Sequence, residues 1–140
     1  MFSLSMVMTF MLLISCSSEE KLQSPPELVA KSKIDGADLE IPTKLTTYNW
    51  GGEMTYGGPW ESFKEEKGVI VKPDSTVEIS FPKNPDELIV RQHTSSSGFT
   101  IVDETNHTFI VPSQPGQYVY GISGKWEEGI ALYGLKVEVK

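Results

Sequence analysis

Thr76-Val77-Glu78-Ile79-Ser80-Phe81 alternates polar and apolar residues without a fault, the pattern of a strand with one face in a core and the other in water. Two longer runs repeat it. Tyr118, Tyr120, Ile122, Gly124 and Trp126 fall on one face of the first. Ala131, Tyr133, Leu135, Val137 and Val139 share a face of the second, with Lys136, Glu138 and Lys140 pointing the other way. Glu127-Glu128-Gly129 joins these two runs as a hairpin turn, with Gly129 free to take a positive φ. Shorter apolar runs lie at 45–50, 69–71, 88–93, 99–102 and 108–111, separated by turn-formers such as Lys72-Pro73-Asp74 and Pro82-Lys83-Asn84-Pro85. One or two helical turns are predicted near 59–67. Pro59 suits the first helical position, Glu61 an early one, Lys64 and Lys67 the last turn, and Gly68 the stop. About eight short strands with regular turns and one short helix predict an all-β antiparallel sandwich.

Pro115-Gly116-Gln117-Tyr118-Val119-Tyr120 resembles the tyrosine corner of immunoglobulin-like domains, in which a tyrosine hydroxyl bonds back to the backbone. Tyr120 then falls where antibody domains carry their second cysteine, so the resemblance implies an immunoglobulin-like sandwich packed without that disulfide.

The N-terminus follows a different rule. Met1 to Ser15 carries no charge, and Leu4 to Ile14 is apolar except for Ser5 and Thr9. A bilayer span needs about 20 apolar residues, so this run has the length of a signal-peptide apolar region instead. It ends in Leu13-Ile14-Ser15-Cys16 and switches at once to Ser17-Ser18-Glu19-Glu20-Lys21. This box resembles that of bacterial lipoproteins, which are cleaved before the cysteine and carry a thioether-linked diacylglycerol on it. The resemblance makes 1–15 a lipoprotein signal peptide and Cys16 the lipid-attachment residue, and places the protein on the extracytoplasmic face of the cell membrane. The use of the only cysteine at this boundary agrees with that reading. Residues 16–30, rich in Ser, Glu and Pro, are expected to form a disordered tether, and 31–140 the sandwich domain.

Thr47-Tyr48-Asn49-Trp50, Val71 to Ile79, and Gly116 to Tyr133 with Trp126 and Gly129 together resemble a group of small lipoproteins of Gram-positive bacteria. Those relatives commonly have Cys-Trp where Asn49-Trp50 stands here. The group has no assigned activity, so this likeness implies fold and location and no chemistry.

Composition narrows the remaining classes. Nineteen acidic against twelve basic residues give a formal charge of −7, with no basic patch to neutralise phosphates, so nucleic acid is not an expected partner. A type 1 copper site needs a thiolate and two imidazoles, and the domain has no cysteine. His93 and His107 are the only histidines, and binding a metal would require them to converge with an acid such as Asp103 or Glu104. Two surface histidines are the simpler reading, and no metal or other cofactor is expected. The acidic pairs Glu65-Glu66, Asp86-Glu87, Asp103-Glu104 and Glu127-Glu128 lack the spacing of a calcium loop and read as solvated turn charges. No Gly-x-Ser-x-Gly elbow occurs, and the chain is not expected to be an enzyme.

The segment 49–68 exceeds what a scaffold needs. Gly51, Gly52, Gly57 and Gly58 bracket Tyr56, and Trp60 and Phe63 follow. Tyr56, Trp60 and Phe63 either form a binding loop for peptides or glycans, or fold back to plug one end of the core. The expected function is a non-catalytic interaction module of the cell envelope, anchored in the membrane by lipid, with an envelope protein or wall fragment as partner. The alternatives are an inhibitor or accessory subunit of an envelope peptidase or transporter, and a small metal-binding domain.

Overall fold

The computed structural model describes residues 21–140, so Cys16 and the apolar run before it lie outside the described residues. The described chain runs β1 (Val29–Ile34), β2 (Ala37–Ile41), β3 (Thr43–Trp50), β4 (Glu53–Thr55), α1 (Pro59–Phe63), β5 (Val69–Val71), β6 (Thr76–Ser80), β7 (Glu87–His93), β8 (Phe99–Val102), β9 (Thr108–Ile110), β10 (Gly116–Trp126) and β11 (Gly129–Val139). These strands form a sandwich of two sheets. One is four-stranded and antiparallel, in the order β2-β1-β6-β9. The other is seven-stranded, with β4-β3-β11-β10-β7-β8 antiparallel and β5 pairing in parallel with the end of β11 that β3 leaves free.

The alternation along β10 and β11 does what it predicts. The two strands pair over their whole length, from Gly116↔Val139 to Trp126↔Gly129. Tyr120, Ile122, Trp126, Tyr133, Leu135 and Val137 face Ala30, Val77, Ile79 and Phe109 across the core. Phe109 and Tyr120 stack with ring centroids 4.7 Å apart, and Phe81 meets Trp126 edge-on at 5.1 Å. Such pairs add to the area they bury. The Tyr118 hydroxyl donates to the Gln114 carbonyl at 2.7 Å, the tyrosine-corner bond the sequence predicts.

Gly129 does not supply a positive φ. It is the first residue of β11, and what it provides is room, because a Cβ there would collide with the Asn49 carbonyl.

Three strands exceed the eight read from the sequence. In β1 the inward positions are Ala30 and Ser32, so the alternation is present without hydrophobic weight; Ser32 instead donates its hydroxyl to the Thr76 carbonyl at 2.9 Å. β2 is an edge strand with only Ile41 buried, and β4 has three residues.

The expected tether boundary at residue 30 also moves. Leu28 and Pro26 are buried, the Tyr133 hydroxyl donates to the Pro26 carbonyl, and the Trp50 indole N–H donates to the Leu22 carbonyl at 3.2 Å. Residues 22–28 therefore lie along the sandwich as a strap. Composition misses this because the segment is held mainly through its carbonyls, by aromatic donors more than 20 residues away in sequence.

The helix is shorter than predicted and sits elsewhere. It ends at Phe63, and Lys64 and Lys67 follow it. It does not close an end of the core. It lies on the outer face of the seven-stranded sheet, over β10 and β11, where Gly121 and Gly134 leave a flat seat. A Cβ on Gly134 would stand 2.9 Å from the Phe63 ring, and one on Gly121 3.0 Å from Pro59. Lys136 does point out of the sandwich, but it is 8% exposed beneath this helix. Its ammonium group donates to the carbonyls of Phe63, Lys64 and Glu66, which satisfies backbone groups that the helix end leaves without partners.

Candidate functional site

The outer face of the seven-stranded sheet carries side chains that a solvated face would not. Pairing sets Met54, Asn49, Ile130 and the charged residues Lys125 and Glu87 in one row, and Thr47, Leu132, Ser123 and Ile89 in the next. The following rows hold Gly134, Gly121, Arg91 and Ile101, then Lys136, Val119, His93 and Phe99. The helix covers the middle of the last two rows. Outside it, Met54, Tyr56, Phe99, Ile101 and Ile130 are exposed, Tyr56 at 84% and Ile101 at 71%. Between Tyr56 and Arg91 the surface sinks into a cleft of about 270 Å³, floored by Ile130 and Leu132 and rimmed by Thr47, Asn49, Met54 and Ser123. A cleft of about 290 Å³ on the other sheet, beside Lys31, Asp38 and Glu78, is built from short polar and charged side chains and offers no comparable apolar floor.

Arg91 is the only arginine in the chain. Its guanidinium carbon lies 5.0 Å from the centroid of the Phe99 ring, and its Nε is buried without an acceptor. Among the described residues the ion pairs are Lys44–Glu66, Lys64–Glu61, Lys72–Asp35 and Lys83–Glu128, and none includes Arg91. His93, two positions along the same strand face, has both ring nitrogens buried and unpartnered. Burial, and then the neighbouring Arg91 cation, hold its imidazole below the ordinary histidine range.

The three loop residues picked from the sequence separate. Phe63 is buried against Gly134 with the Lys44 ammonium 4.7 Å over its ring, and Trp60 is half-buried on the helix. Tyr56 alone stands open, just beyond β4, at the lip of the cleft. Phe63 thus plugs a surface, but a second one outside the sandwich. The Gly51-Gly52 turn takes positive φ values of 57° and 85°, which is what its two glycines are for.

His93 and His107 are on different sheets, the first in β7 and the second in the turn entering β9. Among the described residues no three His, Cys, Asp or Glu side chains come close enough to hold a metal ion. The acidic turns serve as ties. Glu128 accepts from Lys83 at 3.2 Å, and Glu104 accepts the His107 backbone N–H at 2.6 Å.

Sequence reasoning passed over Arg91, Phe99, Ile101, Ile130 and Met54. A signal was present, since Leu88-Ile89-Val90 and Ile130-Ala131-Leu132 place apolar residues at both parities of a strand. A strand apolar on both faces has something to bury on each. Among the described residues no helix is long and apolar enough to cross a membrane. Comparison of the chain with family models, curated proteins and solved structures finds no match.

Proposed function

We propose that the protein is a non-catalytic interaction module of the bacterial cell envelope. Lipid on Cys16 holds it at the extracytoplasmic side of the membrane, and the outer face of the seven-stranded sheet binds its partner. The observation that carries the binding half is the run of exposed apolar side chains from Met54 and Tyr56 across Ile130 to Ile101 and Phe99, all on one face. Several large apolar side chains exposed on one face, interspersed with polar groups, are costly to leave in water and are a sign of an interaction surface. The sequence around Cys16 supports the anchoring half.

The two halves are tested separately. Cys16→Ala is expected to move the protein out of the membrane fraction and to abolish labelling by radioactive palmitate; continued labelling would refute the anchor. For the face, a photo-crosslinking amino acid is placed at Tyr56 or Ile101, and in control chains at Glu40 or Glu78 on the outer side of the four-stranded sheet. Discrete adducts are expected from the first pair only. Adducts equally strong from both faces would remove the assignment.

A further inference from the structure

The cleft beside Arg91 allows the outer-face reading to be taken one step further, to the chemistry of the ligand. Resting on that reading, we infer that the cleft holds the C-terminal residue of a peptide, with the carboxylate on Arg91 and the apolar side chain on Ile130 and Leu132.

Arg91 supplies the first argument. A guanidinium stays charged at any physiological pH and presents donors in a planar fork that matches a carboxylate. Every ion pair in the described protein uses lysine, and the buried Lys136 ammonium is surrounded by carbonyls. Arg91 has the Phe99 ring on one side and nothing accepting from its Nε. The Nε–H is shielded from water without an acceptor, which is unfavourable, and the ring beside it offsets only part of that cost. The missing group is an anion that arrives with the ligand.

Size and lining supply the second. Clefts that enclose a whole drug-sized ligand run from about 300 to 1,000 Å³. At about 270 Å³ and open to one side, this one fits the end of a ligand. Its floor is apolar, while Thr47, Asn49 and Ser123 offer hydroxyl and amide groups around it. Peptide amide groups use such a rim, and an acyl chain does not. The formal charge of −7 supplies the third argument, because a ligand rich in acids is repelled by the rest of the surface, whereas a single terminal carboxylate on an apolar residue is not.

The test uses the full chain, ¹⁵N-labelled, in nanodiscs of phosphatidylcholine. A sole arginine gives a single Nε–H resonance, so the reporter assigns itself. The probes are N-acetyl-Ala-Ala-Phe with a free carboxylate, the same peptide as its C-terminal amide, and sodium octanoate. The acid is expected to shift the Arg91 Nε–H and the Ile130 amide saturably, and the amide to bind on the order of tenfold more weakly or worse. Arg91→Gln is expected to lose the difference between acid and amide, and Arg91→Lys, which keeps charge without the fork, to retain only part of it. The indole N–H groups of Trp50 and Trp126 are bonded to the Leu22 and Lys83 carbonyls, so their unmoved signals report an intact fold in each variant. Equal binding of acid and amide at Ile130 would overturn the carboxylate seat and leave the outer face standing. Octanoate binding as tightly as the acid would overturn the peptide in favour of a fatty anion. No shift with any probe would overturn the seat altogether, while the cross-linking pattern judges the face independently.

Discussion

Protonating His93 in the folded protein places a second positive charge on a partly buried strand face that already holds Arg91. The unfolded chain takes up that proton near pH 6.5, and the folded protein only below it. The neutral ring therefore stabilises the fold fully above pH 6.5, and that contribution is lost as the pH falls from 6.5 through the depressed folded value. Urea midpoints are expected to drop between pH 7.5 and 5.5. His93→Leu should flatten the drop; an unaltered slope in that variant would contradict the burial account. Legibility at this scale was uneven for a physical reason. Tyr118 announces its hydrogen bond through its immediate neighbours, Pro115 to Gln117. Arg91, in the polar run Arg91-Gln92-His93, looks like the solvated end of a strand, and only its pairing with Gly121 and Ile101 puts it on an apolar face.

The five-residue helix cannot be stable alone, since helices below about 12 residues are marginal in water. It persists because Gly121 and Gly134 let it approach the sheet and because Lys136 closes its end. Lys136→Met keeps the length of the side chain and removes the ammonium, leaving the Phe63 and Glu66 carbonyls without that donor. It is expected to lower the unfolding free energy by about 2 kcal/mol in urea titrations. Lys64→Met removes only an exposed pair with Glu61 and should change it by less than about 0.5 kcal/mol. Similar losses from both would refute the role given to Lys136. Pro59 and Glu61 marked where this element starts, but its end is set by Lys136, more than 70 residues later, and local signals cannot carry that. β10 and β11 were readable because their inward residues are large and apolar, and β1 was not because its inward residues are Ala30 and Ser32.

At the scale of the whole molecule the strap 22–28 belongs to the fold. It buries Leu28, whose carbonyl accepts from the Thr43 hydroxyl at 2.9 Å, and it engages Trp50 and Tyr133. A chain beginning at Val29 is expected to unfold with about 3 kcal/mol less free energy than one beginning at Lys21, from one lost leucine burial and the lost hydrogen bonds. Equal midpoints would make the strap decoration. The strap also fixes a length. With Cys16 as the lipid site proposed above, only six residue steps separate the lipid from Leu22, and a chain spans at most about 3.6 Å per step. The leash is then no longer than about 20 Å. Leu22 leaves the sandwich beside Trp50 and Glu128, so the end bearing the Gly51-Gly52 and Glu127-Glu128 turns rides closest to the lipid headgroups. Under that anchoring, a partner on the outer face of the seven-stranded sheet would be met no farther from the bilayer than this leash and the length of the sandwich allow.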